Sequence, residues 1–327
     1  MDSKRIDISV IILYHNDAST IRRALESLVI QTPKSVEYIL VDDCSTDDTT
    51  AIVEEFISHY PDLRSRFKRI RNPKNLGCAG AAVVGLSAAE GEYVIRCDAD
   101  DYMEPCALQL MLDATDGGYY DVVMAPYYET YPDYRKEVQF KSKPSGLNDM
   151  PIDTLNFSVW SKLLRRKMLV DNGISQYEGL DCWEDLSVVS RVMALHPKVN
   201  FVDCPIYNYV RNRNKKTLSL SSKSRLLEDH LAICERIENW FVDKGLDEEH
   251  KEFLDYLKFC AKVKMLRGRG KKVARWKTTY PEVNNRIMSF RHVSLPLRVL
   301  FAAVVALPTV VSQAIADCCD VFYILED

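Results

Sequence analysis

Three of the four residues Asp98-Ala99-Asp100-Asp101 are carboxylates, and they follow closely on a short apolar run, Tyr93-Val94-Ile95. Like charges set this close repel one another unless a cation offsets them, so the spacing points to a divalent metal. Asp-x-Asp offers hard oxygen ligands and leaves room in the shell for phosphate oxygens, which suits Mg2+ or Mn2+. Alone, such a triplet is equally the signature of a solvated acidic turn. Two further clusters bear on the choice: His15-Asn16, and Asp42-Asp43.

The elements around these clusters explain why they belong together. Ile8 to Leu13 is a continuous apolar run, as expected of a strand buried on both faces of a parallel sheet, and it ends at Tyr14-His15-Asn16. A helix with Ile21, Leu25, Leu28 and Val29 on one face follows. The next strand, Val36 to Val41, stops at Asp42-Asp43, and a second helix buries Ile52, Val53, Phe56 and Ile57. Phe67 to Ile70 is a shorter strand. Asn75-Leu76-Gly77 opens a helix of small residues, which Gly91 breaks before the strand that leads to Asp98. The order β-α-β-α-β-α-β predicts an α/β fold with a Rossmann-like, doubly wound, mostly parallel sheet. Ligands of such sheets sit at the carboxyl ends of the strands. An Asp-rich loop before a helix is ordinarily turn and capping chemistry. Three such clusters at equivalent strand ends fit one shared site better.

The chain has 327 residues, 47% hydrophobic and 28% charged, the composition of a globular protein with a sizeable core. Ten scattered cysteines without a Cys-x-x-Cys pair suggest reduced thiols in the cytoplasm, and the first residues do not resemble a signal peptide. From about Ser219 the pattern becomes helical. Leu227, Leu231, Cys234, Ile237 and Phe241 recur at steps of three and four, Gly245 marks a stop, and a second helix is expected from about Asp247 to Arg267. We therefore expect a nucleotide-binding domain over residues 1–218 and a helical C-terminal appendage over 219–327.

The net charge of −4 is unevenly spread: residues 262–298 carry +10, including the run Arg267-Gly268-Arg269-Gly270-Lys271-Lys272, against −10 for the first 261 residues. An acidic body without a recognised binding fold argues against nucleic acid as the partner. The densely apolar part, Val299 to Val311, is shorter than the about 20 residues that span a bilayer core of about 30 Å. An interfacial or re-entrant segment fits better, with the basic stretch against an anionic membrane surface. The location expected is the cytoplasm, peripheral to the inner face of the plasma membrane. A homodimer is compatible with the sequence.

Residues 6–215 resemble the family-two glycosyltransferases of GT-A fold. The likeness rests on Val10 to Asn16, on Val41-Asp42-Asp43-Cys44-Ser45-Thr46-Asp47, on Asn75-Leu76-Gly77, and on Gly91-Glu92-Tyr93 followed by Asp98-Ala99-Asp100-Asp101 and Pro105. It continues through Trp160-Ser161-Lys162-Leu163, Glu184-Asp185, Arg191 and Tyr207 to Arg211. The resemblance implies a metal-dependent, inverting transfer of a sugar from a UDP-sugar to a saccharide or lipid-linked saccharide acceptor, as in bacterial surface-polysaccharide synthesis. It implies that Leu13 and His15 contact the nucleoside and that Asp43 accepts a hydrogen bond from uracil. Asp98 would lie near the ribose, with Ala99 and Asn75 among the nucleotide-sugar contacts, and Asp100 would hold the metal. Asp185 would be the general base, with Glu184 orienting it or the donor. Lys162 and Arg211 would contact the diphosphate.

Two departures stand out: His15 where a Tyr is frequent, and Ala82-Val83 where the family often has Arg-Asn. The second motivates a rival reading, a non-catalytic nucleotide-sugar-binding subunit. A sugar-nucleotide nucleotidyltransferase is another rival, but Tyr14-His15-Asn16-Asp17 is not the Gly-rich, Arg-containing loop it needs.

Overall fold

β1 (Ile8–Tyr14) and β2 (Val36–Asp42) are buried at every position, as two continuous apolar runs require. They pair in parallel, with Leu13 opposite Val41, and β1 also pairs in parallel with β4 (Tyr93–Asp98), with Leu13 opposite Asp98. β3 (Phe67–Arg71) is the half-exposed edge strand beside β2. Beyond β4 lie β9 (Lys162–Arg165), β6 (Val122–Met124) and β10 (Val199–Phe201), so the order is β10-β6-β9-β4-β1-β2-β3. Only β9 runs antiparallel to its neighbours. α1 (Ile21–Val29), α2 (Thr49–Ser58) and α3 (Gly77–Ala88) make the first three crossovers. The computed structural model describes residues 5–211, 223–266 and 273–318.

The aromatic-rich stretch 127–134 forms the first strand and the turn of a hairpin. β7 (Tyr127–Thr130) and β8 (Arg135–Val138) pair antiparallel, and with β5 (Tyr102–Met103) and β11 (Tyr207–Val210) they form a second sheet in the order β5-β11-β7-β8. Alternate side chains of β7 face inward. The Tyr127 ring meets Trp160 edge-on at 4.8 Å, and Trp160 stacks on Tyr207 at 4.6 Å. α4 (Ala107–Asp113), α5 (Thr154–Phe157), α6 (Arg166–Asp171) and α7 (Glu184–Ala194) complete this part of the chain.

The chain divides into two compact units, Met1–Pro144 with Phe157–Lys215, and Ser145–Asn156 with Lys216–Asp327. The sequence suggested a boundary near residue 218 but not that 145–156 belongs with the later part. In the second unit α8 (Lys223–Lys244) ends at Gly245, whose φ of +68° suits the residue that closes a helix. α9 (Lys251–Val263), α10 (Val273–Thr278), α11 (Leu295–Ala306) and α12 (Thr309–Cys318) follow, and the basic run 267–272 lies outside the described residues. Trp276, Phe259, Phe290 and Phe301 are fully buried in one core, each contributing on the order of 2 kcal/mol of hydrophobic stabilisation. The apolar stretch 299–311 breaks at Leu307-Pro308 between α11 and α12, and no described helix is long and apolar enough to cross a membrane.

The turn before β4 is anchored by charge. The Gly91 N–H donates to Ser9 Oγ at 2.8 Å and Glu37 Oε1 accepts from Ser9 Oγ at 2.6 Å, with Lys68 Nζ at 2.8 Å from the other oxygen. A Cβ on Gly91 would lie 2.6 Å from the Ser9 backbone nitrogen. Gly91→Ala is therefore expected to destabilise the chain by about 1–3 kcal/mol, measured as a lower urea midpoint at unchanged m-value.

Candidate active site

The acidic turn at the end of β4 is built from both sides. Asp101 N–H closes it on the Asp98 carbonyl at 3.1 Å. β11 then holds it: the Asp98 N–H donates to Tyr207 Oη at 2.9 Å, the Tyr207 hydroxyl donates to Asp101 Oδ2 at 3.1 Å, and the Val210 N–H donates to Asp101 Oδ1 at 2.7 Å. Asp101 is thus a buried structural carboxylate, pushed well above its ordinary pKa by burial and by its neighbours Asp100 and Asp98. Ala99 is buried, while Asp100 is half-buried and has the neighbouring Arg23 guanidinium on its carbonyl at 2.5 Å.

The sequence reading missed the residue that ties this turn to the rest of the site. Arg96 is 8% exposed, inside β4, and its Nε lies 2.8 Å from Asp98 Oδ1. Its Nη1 is 3.0 Å from Glu184 Oε1 and 3.0 Å from Asp185 Oδ1. Glu184 and Asp185 occupy the first turn of α7, reached through Trp183 in a left-handed conformation at φ +56°. The helix N-terminus favours carboxylates there, and the Val159 N–H donates to Asp185 Oδ2 at 3.0 Å. Burial pushes the Asp98 carboxyl up to about 6, with Arg96 opposing and Asp100 and Asp185 adding to the shift. Burial raises Glu184 well above its usual value as well, again against Arg96 and with repulsion from Asp185. The signal available in sequence was a lone charge in an apolar strand, since a buried arginine must have partners.

The ends of β1 and β2 are equally organised. The Asp43 carboxylate accepts from Asn72 Nδ2 at 2.8 Å, from Leu76 N–H at 2.9 Å and from Gly77 N–H at 2.9 Å. Asp43 is nearly fully buried, so in this structure it fixes the loop that carries Asn75, whose side chain accepts from the Gly77 N–H at 3.0 Å. His15 Nδ1 is 2.8 Å from the Asp43 carbonyl oxygen, and Asn16 Oδ1 accepts from Thr46 N–H at 2.7 Å. His15 is exposed and Leu13 stands beside Asp98 in register. Gly77 is obligatory at φ +77°, because a Cβ there would meet Asp181 Oδ2 at 2.5 Å. Asp181, also unforeseen, accepts from the Ala79 N–H at 3.0 Å and so caps α3. Ala82 is buried on α3 and lines, with Ile11, Val94 and Arg96, a cavity of about 40 Å3.

Two expected diphosphate contacts are differently placed. Lys162 is completely buried, and its ammonium donates to the Ser158 carbonyl at 2.8 Å and to Ser161 Oγ at 3.2 Å. A charge desolvated this fully needs such partners, and in this structure the Lys162 ammonium does not open to solvent. Arg211 gives its Nη2 and Nε to Glu129 Oε1 at 2.6 and 3.1 Å and lies 4.6 Å from the Tyr209 ring centre. It is half exposed, and its charge is already matched in this structure.

By donor type Asp100 suits a hard divalent cation, offering carboxylate oxygen at the end of β4, whereas Asp101 is taken up by Tyr207 and the Val210 N–H. Among the described residues no three carboxylates of this turn come within ligand distance of one another, so the rest of a metal shell would be phosphate oxygen or water.

These features define a GT-A α/β fold with polar and acidic clusters at its strand ends. The sequence model of Glycosyl transferase family 2 matches residues 9–172, half of the chain, and the chain belongs to that family. A cholesterol galactosyltransferase of Borreliella burgdorferi is 29% identical over 281 residues, covering 78% of this chain and 74% of that protein. Among solved structures, a TarS fragment of S. aureus in complex with UDP-GlcNAc superposes with a TM-score of 0.65 at 23% identity, covering 95% of this chain and 88% of that one. A mannosyltransferase of Pyrobaculum calidifontis in complex with GDP-Man and Mn2+ gives 0.55 at 17% identity, covering 96% of this chain and 86% of that one.

Removing Arg96 leaves its carboxylates buried without a counter-ion. Arg96→Met is expected to cost about 3–5 kcal/mol at pH 8 in metal-free protein. The deficit should shrink at pH 5. The folded-state pKa of Asp98 is already about 6, above the ordinary 3.8, so its ionisation costs stability as pH rises through that window, and losing Arg96 extends the window upward. Urea unfolding of both proteins at the two pH values measures this.

Proposed function

We propose that this chain is an inverting, divalent-metal-dependent glycosyltransferase that moves a sugar from a UDP-sugar to an acceptor hydroxyl. The observation that carries the reading is the Arg96 cluster, which sets the Asp98–Asp101 turn and the Glu184-Asp185 helix start against one another. It does so in a chain whose family and fold are those of glycosyltransferases. The UDP-GlcNAc bound by the TarS fragment supports a UDP-sugar, and the Mn2+ of the mannosyltransferase supports a metal.

In this reading Leu13 and His15 border the nucleoside, and Asp43, through the 72–77 loop and its remaining acceptor capacity, sets the uracil-side wall. Asp98 lies at the ribose, and Ala99 and Asn75 are among the nucleotide-sugar contacts. Asp100 would hold the Mn2+ or Mg2+, whose charge would offset that of the departing diphosphate. The acceptor oxygen attacks the anomeric carbon from the face opposite the diphosphate, and its proton passes to Asp185 as the carbon–oxygen bond to UDP breaks. Arg96 and the Val159 N–H fix the direction of the Asp185 carboxylate, and Glu184 shares the guanidinium. The acceptor is a saccharide or lipid-linked saccharide of bacterial surface-polysaccharide synthesis, met at the inner face of the plasma membrane.

Two substitutions separate binding from chemistry. Asp185→Asn is expected to lower transfer by about 10²–10⁴-fold while the protein still gains thermal stability from UDP-sugar with Mn2+. Asp100→Ala is expected to lose the Mn2+-dependent part of that stabilisation. A panel of UDP-sugars scored by melting temperature and by release of UDP makes both measurements. Full transfer by Asp185→Asn would remove the base assignment, and no metal-dependent UDP release by the wild-type chain would favour a binding subunit.

A further inference from the structure

The last two helices of the second unit present a surface that their own core does not use. α11 turns Leu297, Phe301 and Val304 inward and leaves Leu295 and Val299 55% and 52% exposed. α12 buries Ser312 and Ala316, while Val310, just past the Leu307-Pro308 corner, is 83% exposed and Val311 45%. No charged residue occurs from Val299 to Ala316. Exposed helix positions are ordinarily polar or charged, so a charge-free outer face calls for a partner other than water.

Two cations lie on or against these helices. The Lys277 ammonium donates to the Leu307 carbonyl, at the corner itself. Arg298 Nη1 donates to the Met288 carbonyl at 2.7 Å, beside the exposed Met288 side chain. Neither is paired with a carboxylate among the described residues, whereas Arg275, Arg286 and Arg291 of the same segment face Glu228, Asp255 and Glu252. A second copy related by a twofold axis would bring the same two cations and no counter-charge, whereas an anionic surface supplies it. Helices of 12 and 10 residues broken at Pro308 are too short to span a bilayer, and their length suits a segment lying in the interface plane.

We propose that the α11–α12 pair is the surface by which this protein docks on anionic bilayers. Val310, Val311, Leu295 and Val299 enter the boundary between headgroups and acyl chains, and Lys277 and Arg298 sit at the lipid phosphates. This deepens the reading of a transferase working at a membrane by assigning the contact to named residues. It is measured without sugar transfer, so either can fail alone.

The test is co-sedimentation of the full chain with vesicles of phosphatidylcholine, with and without phosphatidylglycerol, at low and high salt. Binding is expected only with phosphatidylglycerol and should weaken with salt. Val310→Glu with Val311→Glu should reduce it by about tenfold or more at an unchanged melting temperature, and Arg298→Gln should reduce it at low salt. Undiminished binding of the double valine variant, equal binding to neutral vesicles, or a solution dimer that the valine variant dissociates would each overturn the proposal.

Discussion

A guanidinium buried among three carboxylates fixes where two distant stretches of chain must lie. Arg96 sits in β4, while Glu184 and Asp185 start α7, 88 and 89 positions later, and all three meet at about 3 Å. At such distances and in such burial, an ionic contact is strong only if its geometry is held, and here the strand, the helix start and the Val159 N–H hold it. One positive charge does not neutralise three negative ones. Burial raises the proton affinity of Asp98 and Glu184, and the neighbouring carboxylates add to it against Arg96.

The two ends of the site are satisfied to different degrees. Asp43 accepts from Asn72, Leu76 and Gly77, so the loop after β3 is fixed by the chain's own hydrogen bonds. Asp98 instead shares one guanidinium with Glu184 and Asp185.

Much of this was legible in the sequence because the first hundred residues obey local rules. The runs Ile8–Leu13 and Val36–Val41 are apolar without interruption and become fully buried parallel strands, and parallel register alone brings Leu13 beside Asp98. What was not legible depends on partners far off in the chain. The hairpin at 127–138 reads as loop because its strands have four residues each and half of their positions face outward. Arg96 reads as a stray charge until Glu184 and Asp185 are beside it. Lys162 looks like a surface lysine near a motif, yet tertiary packing places it wholly inside, at the Ser158 carbonyl.

The short segment Ser145–Asn156 leaves the first unit and belongs with the second, where Leu147 and Met150 are buried and the Asn148 side chain donates to the Glu249 carbonyl at 3.4 Å. The second unit is therefore discontinuous in the order of synthesis. Leu147 and Met150 emerge from the ribosome some seventy to a hundred residues before α8 and α9. During that interval they are solvent-exposed apolar groups awaiting partners, and shortening the chain after the last strand would make their exposure permanent.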